Sequence, residues 1–488
     1  MKKQANIERI AVASACLLML GAFYMVSATG LDTNILNIQR LMKVGVLTMV
    51  GAVVWLILVH PELDRSKIVL WVILALGILM RVGYMLYTPA TVRGHDLWQI
   101  SADGKGHAAY ILYLLQGKLP PNNDGQFYHP PLFHLLSAIA IYCYRLISDF
   151  EDPVQLMESA KTVSCAASII TLFFAQKLCQ QLRLSNGATL IAVSLAAFLP
   201  NHYLLAGRVN NDSLTVMFMV AILYYTLRWY EWQDWNSIVK LAVCFGLGMM
   251  TKISVGVFAL VTGSMMLIVL YCRIKEKNMF PIIRQFTVFG LISLPLGLWY
   301  PVRNLILFQQ PFHYVLPISE DEDIYCGYYS LFERFGLMKD FDIYNSPFED
   351  YNVWSYLLKG SLFGEFSFDV GEIIPILLIF VNLTLILLSI IAMVVVLLRH
   401  RTTQWVTLGG FWLALMTSYI IFNIQYPFGC TMDFRYVVPA ALIGAVFLAE
   451  EWELISKRQS GKLFRRTTSV ATGVFSVLSI VLYCNLAW

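Results

Sequence analysis

Thirteen apolar runs, near residues 10–27, 41–59, 67–87, 162–178, 187–206, 213–229, 235–250, 254–272, 286–302, 373–398, 404–423, 436–452 and 468–486, take up most of this 488-residue chain. About twenty residues of helix cross roughly 30 Å of hydrocarbon, so the pattern predicts an all-α polytopic membrane protein with about 13 transmembrane helices. Composition agrees: 58% of residues are hydrophobic and 14% charged, where soluble domains carry about 25% charged residues. The formal net charge of +4 is small, and the basic residues sit in short clusters between the runs. Such clusters report topology and not a nucleic-acid partner.

Sidedness follows from those clusters, because basic residues prefer cytoplasmic loops. With Lys2, Lys3 and Arg9 inside, the third run delivers the stretch 93–134 to the outer face. The apolar segment 131–147 then decides the rest. If it crossed, the clusters at Lys177 and Arg183, at Arg273, Lys275 and Lys277, at Arg399 to Arg401, and at Lys457 to Arg466 would all lie outside. All of them return to the cytoplasm when 131–147 is a juxtamembrane helix, which is the reading adopted. The start of the chain resembles a signal peptide with Val26-Ser27-Ala28 as a cleavage site, but an uncleaved first span fits the sign of the later loops. Four segments are expected: N-terminal extra helices (1–66), a catalytic membrane core (67–304) with an outer loop at 88–161, an outer-face loop (305–372) and C-terminal helices (373–488).

Polar chemistry gathers at the outer face. The stretch 93–134 holds four histidines, three aspartates and four prolines. A carboxylate here can take a proton from an attacking hydroxyl, an effect of about 10² to 10⁴ in rate; Asp96, beside His95, and Asp103, four residues before His107, are the candidates. The ordinary fate of a loop aspartate is to cap a helix or to be solvated, and that reading stands beside the catalytic one. His129, next to Tyr128, is followed by Pro130 and Pro131, which fix the entry to a helix without explaining the histidine. Zinc is a rival use for His95, His107, His129 and His134, although their spacing matches no standard ligand pattern, and no cofactor is expected. Asn211 and Asp212 precede an outward helix end, where Asp212 is also a candidate cap. Lys252, Arg303 and Arg435, the last beside Tyr436, stand at outer span ends against the positive-inside preference. Snorkelling explains one such cation; three point to an anionic ligand such as phosphate. Of nine cysteines, six fall in or beside apolar runs as buried thiols, whereas Cys326 and Cys430 both lie outside and leave a disulfide open.

The motifs HD, GHAAYILYL, LP, QFYHPPLFH, RVNNDSL, GLGMMTKIS, WYPVRN and DFRYVVP, in that order, resemble the C-type glycosyltransferases that use polyprenyl-phosphate sugars. The likeness is to the family 39 and aminoarabinose-transferase-like branch, distantly related to protein O-mannosyltransferases, and covers residues 84–439. It implies a bacterial plasma-membrane enzyme that moves a sugar from a lipid phosphate to an acceptor outside, with inversion. The catalytic carboxylate of the family matches Asp96 or Asp103, its second acidic position Asp212 and its lysine Lys252. Many relatives carry an Asp-Glu pair, whereas Leu97 and Gly104 follow the two aspartates here, so the choice between them stays open. The implied partners are the polyprenyl-phosphate-sugar donor, an acceptor that is a lipid, protein or wall polymer, and the bilayer. Lys252, Arg435 and Arg303 would hold the phosphate, and His129 and Asn211 would orient sugar or base. A lipid-linked glycan polymerase or ligase uses similar outer-face cations and is the nearest alternative. A flippase or transporter would show internal repeats or mid-span charges, which this chain lacks, and a non-catalytic scaffold leaves the gathered aspartates and cations unexplained.

Overall fold

The computed structural model describes residues 2–29, 35–62, 64–91, 104–148, 151–337, 351–364, 371, 373–455 and 461–486, with only the backbone described for 2–9, 28 and 29. His95, Asp96 and Asp103 therefore lie outside the described residues. The α-helices are α1 (Lys2–Thr29), α2 (Ile35–Val59), α3 (Arg65–Tyr87), α4 (His107–Leu115), α5 (Leu132–Arg145), α6 (Pro153–Gln181), α7 (Asn186–Phe198), α8 (Pro200–Leu204) and α9 (Asp212–Trp232). They continue with α10 (Trp235–Met249), α11 (Phe258–Lys275), α12 (Phe280–Phe308), α13 (Leu331–Phe335), α14 (Val353–Phe363), α15 (Ile373–Arg399), α16 (Thr403–Gln425), α17 (Val438–Ile455) and α18 (Lys462–Tyr483). Among the described residues the only β pairing is one antiparallel bridge, Tyr325 with Phe428.

Every predicted run falls on helix. Among the described residues nine helices, counting α11 with the 3-10 turn before it, are long and apolar enough to cross a membrane, and the bent pair α7–α8 makes a tenth if it is one span. The other three runs became α9, α10 and α17. Helix α10 has only 15 residues, and α17 carries Glu450, Glu451 and Glu453. Most of α9 and α17 is buried against protein, which shields their polar residues from lipid. Helix α5, at 14 residues, is about 21 Å long and, like α10, is shorter than the hydrocarbon is thick. No disulfide joins Cys326 and Cys430.

The chain forms two compact units. The first comprises Met1–Gly30, Thr88–Phe174 and Ala206–Pro317. Here α10 packs against α9 and α12, and α4 against α5. The turn between α9 and α10 is set locally: Gln233 takes a left-handed φ of 47°, and Asp234 caps α10 by accepting from Ser237 N at 2.9 Å. Gln233 is then fixed from α11, where Arg273 donates to its side chain at 2.7 Å, and from α12, where Gln285 donates to its carbonyl at 2.8 Å. Gly297 lets α12 approach α10, since a Cβ there would stand 2.9 Å from that of Met249. Small residues serve this purpose between membrane helices. With 29 residues, α12 is about 44 Å long, so its last turns outrun the hydrocarbon and carry Tyr300, Arg303 and Asn304 to the polar region.

The second unit comprises Leu31–Tyr87, Ala175–Leu205 and Ile318–Trp488. Helix α17 packs against α7, α15 and α16, α3 against α2 and α7, and α18 against α15. The 53° bend between α7 and α8 falls at Pro200, whose missing N–H ends the α7 ladder. Buried Arg81 of α3 takes up the last carbonyls of α7, donating to Ala196 O at 3.1 Å and Ala197 O at 2.9 Å, and its guanidinium also lies 2.7 Å from His202 Nδ1.

Candidate active site

Seven of the candidate residues fall in the first unit: His107, Tyr128, His129, Asn211, Asp212, Lys252 and Arg303. The outer loop builds the first part of their setting. Gly125 opens a 3-10 turn, Gly125–Tyr128, with a left-handed φ of 52°, and Gln126 N donates to Lys105 O at 2.7 Å. His129 follows in extended conformation, and the two prolines lead into α5. This stiff passage lies against the end of α10, where Leu132 N donates to Met250 O at 3.0 Å. It thereby stands beside the Thr251–Lys252 corner.

At that corner the structure brings two predicted residues together. Lys252 Nζ lies 2.6 Å from Asp212 Oδ1, with the side chains 16% and 7% exposed. Asp212 does not cap α9, whose N-cap is Asn211 and has no side-chain cap bond; its carboxylate faces the lysine. Asn211 is held by donating to Thr251 O at 3.2 Å, and Asp212 N donates to Asn210 Oδ1 at 3.2 Å. Ser213 Oγ reaches Ser164 O on α6 at 2.7 Å. The Asn-Asn-Asp sequence is therefore a knot joining α6, α9 and the α10 end.

The histidines form a separate stack. His107 Nδ1 lies 2.8 Å from His134 Nε2; the His107 ring also stacks on His129 at 5.8 Å, and Tyr110 stacks on His134 at 3.9 Å. Tyr110 Oη donates to His129 O at 3.2 Å, and Tyr128 packs against His129 at 4.0 Å. Burial holds the His134 imidazole well below the ordinary histidine range, the neighbouring His107 acts in the same direction, and the Pro130 backbone opposes both. Among the described residues no group of three His, Cys, Asp or Glu side chains is disposed to hold a metal ion.

Arg303 serves the loop. It donates to Pro120 O at 3.0 Å and to Asn304 Oδ1 at 2.8 Å, while Tyr300 Oη donates to Phe127 O at 2.7 Å. The end of α12 thus clasps both sides of the 118–128 segment. In the second unit, Arg435 Nε lies 3.2 Å from Asp433 Oδ2, and its guanidinium lies over the Tyr436 ring at 5.3 Å.

Several residues of this setting were not singled out by sequence reasoning. His134 was weighed only as a zinc donor, and Asp433, fully buried, only as a letter of the DFRY motif. A further pair, Glu158 and buried Lys161, clamps the exit of α3: Lys161 Nζ donates to Thr88 O at 2.7 Å and Glu158 accepts from Ala90 N at 2.6 Å. The one available signal was an i, i+3 pair of opposite charge at the start of an apolar run.

Residues 129–299 match the sequence model of the dolichyl-phosphate-mannose-protein mannosyltransferases. That window contains His129, Asn211, Asp212 and Lys252. The fold is similar to that of ArnT from Cupriavidus metallidurans, solved bound to undecaprenyl phosphate, with a TM-score of 0.50 and 11% identity over 85% of this chain and 75% of that one. The oligosaccharyltransferase of Archaeoglobus fulgidus in its apo form gives 0.45 and 13% over 86% and 56%. No curated protein matches the sequence. The multi-pass helical fold is thus similar to that of ArnT.

Proposed function

We propose that this protein is an integral membrane glycosyltransferase that moves a sugar from a polyprenyl phosphate to an acceptor hydroxyl at the outer face of the plasma membrane. The observation that carries this reading is the Asp212–Lys252 contact. It joins the two charged candidates of the mannosyltransferase-like window, beside the His-Pro-Pro passage. The binding of undecaprenyl phosphate by ArnT, a protein of similar fold, supports a lipid phosphate as leaving group.

In this mechanism Asp96 or Asp103 takes the proton of the acceptor hydroxyl as its oxygen attacks the anomeric carbon. The new glycosidic bond forms while the bond from that carbon to the phosphate oxygen breaks, with inversion. Negative charge grows on the departing phosphate, and Lys252 is placed to answer it. Arg435, in the second unit, lies against Asp433. Arg303 already donates to Pro120 and Asn304 and chiefly keeps the loop in place. His129 and Asn211, with Tyr128, are the residues of the first unit to which we assign the orienting of sugar and acceptor.

The test is transfer in liposomes with radiolabelled polyprenyl-phosphate sugars and cell-envelope acceptors. Replacing the base with asparagine, in Asp96→Asn or Asp103→Asn, is expected to lower turnover by about 10² to 10⁴, and Lys252→Met by about 10². Full turnover in both aspartate variants would end the carboxylate mechanism. Label carried across the bilayer without transfer would replace the enzyme with a flippase.

A further inference from the structure

One stretch of the second unit turns large apolar side chains outward where a loop that meets only water would be polar. On α13 and beside it, Phe332 is 85% exposed, Leu337 92%, Tyr328 78% and Leu331 55%. The two charged side chains of this helix have other tasks. Glu333 closes a capping box, accepting from Ser330 N at 2.9 Å and from Ser330 Oγ at 2.8 Å. Arg334 is buried and donates to Asn423 O of α16 at 2.8 Å. From the start of α14, Asn352 donates to Gly336 O at 3.2 Å and Trp354 to Phe335 O at 2.8 Å. Held from both α14 and α16, α13 cannot roll to hide Leu331 and Phe332.

The bond to Asn423 also sets the depth. Asn423 lies in the last turn of α16, a helix of 23 residues that is long and apolar enough to span. At 1.5 Å per residue α16 is about 35 Å long, slightly more than the hydrocarbon, and the headgroup layer beyond is roughly 5–7 Å thick on each side. The last turn of α16 therefore ends in that layer, and α13, one side chain away, lies beside it. Ile421 and Ile424 of the same turn are exposed, so lipid-facing surface is present at the level of α13.

We propose that α13 is an interfacial anchor: Leu331, Phe332 and Leu337 enter the membrane surface at the C-terminal end of α16, expected to be the outer one, and Tyr328 stands at the rim as interfacial tyrosines do. The partner is the apolar part of the lipid and not its charge. Glu320, Asp321, Glu322 and Asp323 are all exposed, and Tyr328 Oη donates to Glu320 O at 3.3 Å, which keeps this acidic run close to the patch. Anionic headgroups would repel it, so insertion rests on apolar area. A sugar fits less well, since it would need hydrogen-bonding side chains and those of α13 are engaged. The anchor is also joined to the 426–432 turn, through Cys326 N to Pro427 O and Gly429 N to Ile324 O, both at 2.7 Å. The membrane surface thereby bears on the segment that leads to Asp433 and Arg435. Nothing in this inference depends on the transferase reading.

The test is spin-label accessibility in the full chain, reconstituted in bilayers of phosphatidylcholine. Phe332→Cys, Leu337→Cys and, as the water-facing reference, Glu322→Cys are each labelled with a nitroxide. Exposed Cys143 and Cys272 are replaced by serine, and the signal of that labelled parent is subtracted. Oxygen concentrates in lipid and a neutral nickel chelate in water, so the ratio of their collision rates with the label reads depth. The ratio is expected to be several-fold higher at 332 and at 337 than at 322, and to stay so when phosphatidylglycerol is added. A ratio at either position no higher than that at 322 would overturn the proposal, because the patch would then face water. Labels shielded from both reagents would overturn it too, because protein, from this chain or a second copy, would then cover the patch. A depth that appears only with phosphatidylglycerol would replace apolar insertion with attraction between charges and would end the proposal as stated.

Discussion

At the scale of single residues, the most consequential burial is that of a base. His134 lies on α5 and is fully enclosed, and burial, followed by the neighbouring His107, keeps its proton affinity well below the ordinary range. In the unfolded chain the same ring takes a proton near pH 6.5, roughly the free histidine value. Below that pH the unfolded state binds a proton that the folded state refuses, so stability falls with pH, by up to about 1.4 kcal/mol per unit, until the depressed folded value is reached. Above that pH the contribution is fully present. Thermal midpoints in detergent between pH 7.5 and 5 should therefore drop more steeply for the wild type than for His134→Gln; equal slopes would show that His134 is not held neutral. Sequence reading found His129, Asp212 and Lys252 because their residue types are out of place at apolar run ends. It did not find that Asp212 meets Lys252 from 40 residues away, or that His134 meets His107 from 27, because both pairings depend on how helices pack and not on local pattern.

Among elements, those read correctly from the sequence are the ones whose cause is local. Hydrocarbon demands an apolar stretch of fixed length, and each of the thirteen runs is helix. The run at 187–206 was read as one span, and the break within it comes from Pro200 together with Arg81 reaching across from α3, a contact no local pattern shows. The 3-10 turn before His129 is the other instance. Gly125 has φ 52°, and a Cβ there would lie 2.2 Å from Lys105 O, the same oxygen that accepts from Gln126 N. A left-handed conformation alone costs a non-glycine residue about 1–2 kcal/mol, and the clash is with backbone that cannot swing away. Gly125→Ala should lower stability by roughly 2 kcal/mol or more and weaken donor use as the His-Pro-Pro passage shifts. Unchanged melting and kinetics would mean that the turn tolerates a side chain.

For the whole molecule, apolarity measures exposure to lipid more than it measures crossing. Helices α1 and α2 turn many large apolar side chains outward, Leu17, Leu18, Leu47 and Leu58 among them, and they meet the span criterion readily. Helices α9 and α17 are enclosed by neighbours and keep polar residues that a lipid-facing helix would shed. Hydropathy therefore reads the shell of such a protein more clearly than its interior. The basic residues at the α11–α12 turn, Arg273, Lys275 and Lys277, should face the cytoplasm, and the segment after α12 should face outward. Cysteines introduced one at a time at Lys277 and His313, with exposed Cys143 and Cys272 replaced by serine, should separate cleanly. A membrane-impermeant thiol reagent added to intact cells is expected to modify the His313→Cys protein and spare Lys277→Cys, and the reverse would invert the topology.

In the mechanism we propose, the ion pair at Lys252 bears on the end of the catalytic cycle as much as on its start. A phosphate that arrives there meets a lysine already partnered at 2.6 Å by a carboxylate, and must displace Asp212 to gain the full charge. The same carboxylate stands ready to reclaim the lysine once the sugar has gone. An exchange of this kind lowers the affinity for spent carrier along with that for donor, and binding tighter than turnover can use would leave the enzyme occupied by its own product. Read this way, Asp212 is a built-in competitor that clears the seat for the next lipid.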